Sequence, residues 1–205
     1  RHNHERVLTP PPAGALDLCS NDYLGLSQHP QIIAALHEGI ELYGAGSTAS
    51  RLVRGHRDVF AALEAAAAEW LGGEAALYFA NGYAANVGVI SAVCDGSYAA
   101  FIDRLAHASL TDGVRLSGAD KIYFRHNDME HLRQLLAKSG AKKRIIISES
   151  VFSMDGDEAP LADLVQLARE FDALLYIDDA HATGVFGPQG RGLAPVTADF
   201  RLATF

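Results

Sequence analysis

The sequence predicts an α/β domain of the doubly wound kind, a mostly parallel sheet with helices on both faces. Two observations carry this. Short runs such as RIIIS (144–148) and ALLYI (173–177) are apolar throughout, as strands buried on both faces are. Between such runs lie longer segments with helical periodicity, and a helix between strands is the crossover that parallel pairing requires.

Taken in order, residues 1–14 (RHNHERVLTPPPAG) read as a polar arm stiffened by Pro10, Pro11 and Pro12. The arm lacks the charged-then-apolar order of a signal peptide. LDLCS (16–20) reads as a short strand running into the turn Ser20-Asn21-Asp22-Tyr23. Ile32, Ile33, Leu36 and Ile40 recur at helical spacing and predict a helix over 30–43. The glycine-rich loop GAGSTASRLVRG (44–55) follows, then a helix over 57–71 that Gly72-Gly73 stops. From there the pattern predicts strands over 75–79, 98–102, 122–124, 144–148 and 173–177. Helices are predicted over 82–93, 107–116, 128–138 and 161–171.

With 205 residues, 49% of them hydrophobic, the chain can bury one core. A net charge of −8 leaves no basic stripe to neutralise phosphates, which argues against a nucleic-acid partner. Lys142-Lys143-Arg144 reads as a solvated loop end. No apolar run approaches the roughly 18 residues a membrane span needs. Cys19 and Cys94 lack CxxC spacing and are expected to be buried free thiols in a cytoplasmic protein.

Ligands of open parallel sheets bind beyond the carboxyl ends of the strands. Four predicted strands end in polar groups there: Asn81-Gly82-Tyr83, Asp103 with His107 beyond it, Glu149 to Ser153, and Asp178-Asp179-Ala180-His181. Asn81-Gly82-Tyr83 opens a helix, whose free amides suit an anion such as phosphate; a plain strand-to-helix turn fits equally. Asp178 reads as a cap of the next turn or as the partner of a protonated heterocyclic nitrogen. Asp178, Asp179 and His181 could also be metal ligands, but no further His or Cys cluster supports that, and no metal is expected. His107 either caps its helix or stacks on a planar ligand, and His181 either packs or bonds a ligand oxygen. His126 and His131 flank a helix at the surface and read as structural.

Eight segments in register resemble the α-oxoamine synthase family of fold-type I pyridoxal-phosphate enzymes. They are SNDYLGL (20–26), GAGSTASRLVRGH (44–56), LEAAAAEWLG (63–72), NGYAAN (81–86), DRLAHASLTDGVRLS (103–117), FRHNDMEHL (124–132), ESVFSMDGDEAPL (149–161) and DDAHATGVFGPQGRG (178–192). The resemblance implies an arm and substrate-contacting segment over 1–26 and the first part of the cofactor-binding large domain over 27–205. That domain would be incomplete at its C-terminus, with the C-terminal small domain absent.

The resemblance also implies residue roles toward pyridoxal 5'-phosphate. The backbone of Gly82 and Tyr83 would hold the phosphate, with Thr204 bonding near it. His107 would stack on the ring and also meet substrate, Asp178 would pair with the ring nitrogen, and His181 would contact the 3-oxygen. Ser153 would lie against the cofactor and Asn21 would face the substrate. Of these, His107, Asp178 and His181 would be catalytic.

Within the family, DDAHATG is most similar to the branch that condenses L-alanine with pimeloyl-CoA or a pimeloyl-carrier protein in biotin biosynthesis. The 2-amino-3-ketobutyrate ligase and 5-aminolevulinate synthase types are the alternatives, as is a non-catalytic cofactor-binding module. A homodimer is implied as well. Two departures stand out. Ala49 replaces the family's usual glycine, which requires a negative φ there. The sequence finishes at Thr204-Phe205, before the glycine and the Schiff-base lysine of the family pattern, so the 205-residue piece is expected to be inactive alone.

Overall fold

A computed structural model describes residues 14, 15 and 17–205. The proline-rich arm therefore lies outside the described residues. The chain forms two compact units that divide between Ser47 and Thr48.

In the first unit the segment read as a strand, LDLCS, is a bend instead over residues 17–20. The Asp17 carboxylate accepts the Cys19 N–H at 2.9 Å, a local bond that competes with strand pairing. Cys19 is exposed rather than buried, whereas Cys94 of the second unit is buried; both are free thiols. Asp22 caps the next turn, accepting the Leu26 N–H at 2.8 Å and the Ser27 hydroxyl at 2.6 Å. The Ser27 bond is the main reason its carboxyl is held below the ordinary range. Helix α1 (Pro30–Tyr43) starts on proline, whose missing N–H costs nothing at a first turn, and stops at Gly44 with φ 76°.

The second unit holds α2 (Asp58–Leu71), α3 (Gly82–Val93), β1 (Tyr98–Asp103), α4 (Ala108–Ser117), β2 (Asp120–Phe124), α5 (Met129–Lys138), β3 (Lys143–Glu149), α6 (Leu161–Glu170), β4 (Ala173–Asp178) and β5 (Phe200–Leu202). The five strands pair in the order β2-β1-β3-β4-β5, all parallel. Chain order reverses direction between β1 and β3, and that switch point leaves a crevice at the carboxyl edge.

Both faces of the sheet are buried, which is why its strands are apolar throughout. Phe101, Ile146, Leu175 and Ile177 pack with Leu132 and Leu136 of α5 and Leu164 and Leu167 of α6. On the other face Ala100, Ile102, Ile145, Ile147 and Tyr176 pack with Ile90 of α3 and Leu110 and Val114 of α4. Helices α3 and α4 approach so closely that a Cβ on Gly113 would lie 3.0 Å from both the Asn86 carbonyl and the Ile90 Cβ.

In the second unit one expected strand is missing and one unexpected strand is present. Residues 75–79 form no strand, because among the described residues no strand offers them a ladder. The Tyr78 N–H goes instead to the Glu64 carboxylate at 2.8 Å. That carboxylate also takes two bonds from Arg51, at 2.6 and 2.9 Å, which with the Tyr78 bond lower its pKa to about 2. Strand β5 was not expected, since FRL is short and carries a charge at its centre. Arg201 is there to reach Asp179 at 2.6 Å. Ala49 is not among the positive-φ residues, as its methyl requires.

Candidate functional site

The carboxyl ends of β1, β3 and β4 deliver Asp103, Glu149 and Asp178 to one edge of the sheet, and all three are buried. Asp178 ends β4 directly opposite Glu149 in the ladder. Its Oδ2 accepts the Asn86 amide at 2.7 Å, and its Oδ1 accepts the Ala180 N–H at 3.0 Å. Asn86 is itself fixed: it donates to the Ser109 hydroxyl at 2.8 Å and accepts the Tyr176 hydroxyl at 2.7 Å. The hydrogen bonds to Asp178 thus come from neutral donors, and burial pushes its pKa up.

Glu149 is held in a similar way. It accepts the His107 N–H at 2.6 Å. Burial, followed by the nearby charge of Asp178, raises its pKa to about 7, against the opposing effect of the His107 and Ser153 N–H groups. His107 caps α4, and its ring Nδ1 lies 2.7 Å from the Ser109 hydroxyl. Ser109 also receives Asn86, so a continuous chain of bonds runs from the exposed His107 ring to Asp178.

The α3 N-terminus faces this edge of the unit. Asn81 is its cap, accepting the Ala84 N–H at 2.8 Å, which leaves the Gly82 and Tyr83 amides at the helix end. A Cβ on Gly82 would lie 2.8 Å from Thr204 Cγ2, so Thr204 sits against that same turn. The exposed Tyr83 hydroxyl bonds Asp112 at 2.8 Å, which raises the phenol's pKa.

Asp179, next to Asp178, is spent on the fold. It pairs with Arg201, accepts the Ser150 hydroxyl at 2.5 Å and receives the Leu193 and Ala194 N–H groups. The 179–183 turn built on it carries the half-buried His181. Ser153 is exposed in the hairpin that leaves β3. The second unit thus brings His107, Asp178, His181, Gly82, Tyr83, Ser153 and Thr204 to the carboxyl edge. Asn21 belongs to the first unit, where it is exposed beside the Asp22 turn.

Sequence reasoning assigned no role to Asn86, Ser109 or Tyr176, and Glu149 entered only as a polar strand end. A signal existed: a polar Asn inside an apolar helix and a tyrosine inside an apolar strand each need a buried partner. His126 is not a solvated surface residue either; its ring is half-buried between Asp103 and Asp157.

Among the described residues no helix is long and apolar enough to cross a membrane. The family model for aminotransferase class I and II matches residues 13–203. An 8-amino-7-oxononanoate synthase of Azoarcus sp. (strain BH72) is 52% identical over 177 residues, covering 86% of this chain and 45% of the relative. The synthase of the same name from Geobacter sulfurreducens is 52% identical over 189 residues, covering 90% of this chain and 48% of that protein. The chain therefore spans about half the length of these curated relatives. Among solved structures, SPT with PLP superposes with a TM-score of 0.84 at 34% identity, covering 88% of this chain and 47% of the other. The 8-amino-7-oxononanoate synthase of Francisella tularensis gives 0.70 at 30% identity, covering 84% and 47%. By its sequence over nearly its whole length, and by a parallel sheet with polar groups gathered at the switch point, the chain belongs to the aminotransferase class I and II family.

Proposed function

We propose that this chain is the cofactor-binding part of a pyridoxal-phosphate enzyme that condenses L-alanine with pimeloyl-CoA or a pimeloyl-carrier protein. The products would be 8-amino-7-oxononanoate, CO2 and the free thiol, in biotin biosynthesis. The single observation that supports this most is Asp178: a buried carboxylate, rigidly held, whose hydrogen bonds come from neutral donors. The nearby charges of His107 and His181 do not outweigh burial, and a protonated ring nitrogen is the bonded cation that would complete the pairing, so the residues fit the cofactor. Bound there, pyridoxal phosphate supplies a sink for the electron pair left on the substrate Cα.

The chain's own residues divide the remaining work. Asp178 keeps the ring nitrogen protonated. The Gly82 and Tyr83 amides at the α3 N-terminus, with Thr204 beside them, receive the phosphate. His107, held at its backbone by Glu149 and at its ring by Ser109, would cover one face of the ring and border the substrate. His181 would meet the 3-oxygen, and Ser153 would lie against the cofactor. None of the four lysines is near this edge by its position in the fold. Lys121 and Lys143 open β2 and β3, Lys142 precedes β3, and Lys138 ends α5. The anchoring and proton-abstracting lysine must then come from outside these 205 residues, and the 205-residue piece alone would not turn over. The active protein would be a cytoplasmic homodimer.

A second reading is a sister synthase that uses serine or glycine, which the serine palmitoyltransferase neighbours at 34–38% identity favour. The test is CO2 and thiol release by the full-length protein with pimeloyl-CoA and each amino acid. Fastest turnover with alanine supports the proposal, and faster turnover with serine or glycine overturns it in favour of the second reading. Reversible cofactor binding that borohydride cannot trap in the full-length protein would indicate a non-catalytic module. Robust turnover by the 205-residue piece would sink the lysine argument.

A further inference from the structure

At the switch point, β1 hands the chain to the turn 103–107, and β3 hands it to the hairpin 150–159. The first loop ends in His107 and the second carries Ser153. The base of hairpin 150–159 is anchored, since the Ser150 N–H bonds the Asp178 carbonyl at 2.8 Å and its hydroxyl bonds Asp179 at 2.5 Å. The rest has few bonds of its own, so its spacing from the 103–107 turn depends on a link between the two. Those bonds are the bridge between Val151 and Glu158, with Ala159 N–H to the Ser150 carbonyl and Phe152 N–H to the Asp157 carbonyl, both at 2.9 Å, and Gly156 N–H to the Phe152 carbonyl at 2.8 Å.

The link is made by the segment after β2. His126 Nδ1 lies 3.0 Å from Asp103 Oδ1, and its Nε2 lies 2.8 Å from Asp157 Oδ2. Asn127 runs alongside as a second strap. Its backbone N–H reaches Asp103 Oδ2 at 3.0 Å, and its side-chain amide reaches Asp157 Oδ2 at 2.8 Å. To do both, Asn127 takes φ 51°, a left-handed conformation asparagine tolerates better than most residues. The ring of His126 also meets the edge of Phe152 at 4.4 Å between centroids.

A neutral imidazole has one N–H, so bonding a carboxylate from each nitrogen requires the imidazolium. Burial works against that charge, but the bonds from Asp103 and Asp157 outweigh it and hold the His126 pKa above its ordinary value. Asp103 is fully buried and also organises the turn toward His107, accepting the Leu105 N–H at 2.9 Å.

We propose that His126 is a positioning residue: bridging Asp103 and Asp157, it clips the Ser153 hairpin to the His107 turn and sets their spacing across the switch point. Glu149 ties the same two loops from within, through the His107 and Ser153 N–H groups. Two separated tethers fix both distance and angle, which one alone cannot. The positioning role rests on the proposed cofactor site, since that is what the two residues would border.

The experiment uses His126→Phe, which keeps an aromatic ring on Phe152 but removes both bonds. Asp157→Asn accompanies it; this partly exposed position keeps an acceptor and loses only the charge. Amide hydrogen exchange of the cofactor-free full-length protein should accelerate at least tenfold over 151–158 while β1 and β3 stay protected. Pyridoxal-phosphate affinity should fall about tenfold, the induced dichroism of the bound cofactor should shrink, and Asp157→Asn should move all three the same way by less. Unchanged exchange in both variants overturns the clamp. Faster exchange or a lower melting temperature with unchanged affinity and dichroism overturns the positioning role and leaves a structural bridge. If the unmodified protein binds no pyridoxal phosphate, the proposed function fails together with the positioning role, while exchange still decides whether the clamp exists.

Discussion

The two edges of the sheet treat charge in opposite ways. At the amino edge, where β2 and β3 begin, charges stay in solvent: Asp120, Lys142 and Lys143 are exposed, and Lys143 rests its ammonium 5.2 Å from the Tyr98 ring centroid. At the carboxyl edge four acids are buried, Asp103, Glu149, Asp178 and Asp179. Two of those have cationic partners, Asp179 in Arg201 and Asp103 in His126. Glu149 and Asp178 are held by neutral donors and have raised pKa values. Buried charge is costly, so a carboxylate without a bonded cation either takes up a proton more readily, as Glu149 does, or is completed by a ligand. The difference separates carboxylates that build the edge from carboxylates that wait for something.

Adjacent residues offer the sharpest way to break this comparison. Asp179→Ala strips Arg201 of its partner, with the pair only 0% and 14% exposed, and releases the Ser150, Leu193 and Ala194 donors. A stability loss of about 3–5 kcal/mol in urea unfolding is expected. Asp178→Asn should cost much less, about 1–2 kcal/mol, because it removes a buried charge and keeps an acceptor for Ala180, while its new amide NH2 meets the Asn86 donor unpaired. Its main penalty falls on pyridoxal-phosphate affinity, weakened about 30- to 1,000-fold, or about 2–4 kcal/mol. Equal stability losses at the two positions would abolish the distinction.

Much of this edge was legible in the sequence. Apolar runs gave the parallel strands because burial on both faces demands them, and the rule about strand ends pointed to Asp178, Glu149 and His107. The failures share a cause: they depend on partners distant in the chain. Residues 75–79 have strand composition, yet pairing is a property of two segments. Asn86 reaches Asp178 across 92 positions and Tyr176 across 90, so composition marks them only as polar groups in apolar surroundings. His126 was read as a surface residue because neither carboxylate that holds it lies in its own helix or turn.

Glu149→Gln sharpens the contrast through pH. Its carboxyl rises from an ordinary 4.5 to about 7 in the fold, so the folded state binds the proton more tightly. That contribution is fully present below pH 4.5 and is lost as pH rises toward and through 7. Glutamine keeps an acceptor for the His107 N–H but cannot ionise. The variant should match the parent near pH 4.5 and exceed its stability at pH 8 by roughly 1–2 kcal/mol. Parallel stability-pH curves for the two proteins would refute the assignment.

The smallest effect belongs to the amino edge. Lys143→Ala removes an ammonium over the Tyr98 ring and a charge near Asp95, whose carboxyl is lowered chiefly by its hydrogen bonds from Ser97 and only lastly by Lys143. An exposed cation–π contact is worth about 0.5–1 kcal/mol, and exposed charge pairs typically less. The expected loss is therefore below about 1 kcal/mol in urea unfolding, with pyridoxal-phosphate affinity unchanged. Added salt should shrink even that loss, because solvent ions screen exposed charges within about 10 Å at 0.1 M. Salt should leave the Asp178→Asn affinity defect largely intact, since that carboxylate is shielded from ions by the strands and helices around it. A Lys143 variant that lost cofactor affinity would show that the two edges are coupled through the strands, and the division between building and waiting charges would have to be redrawn.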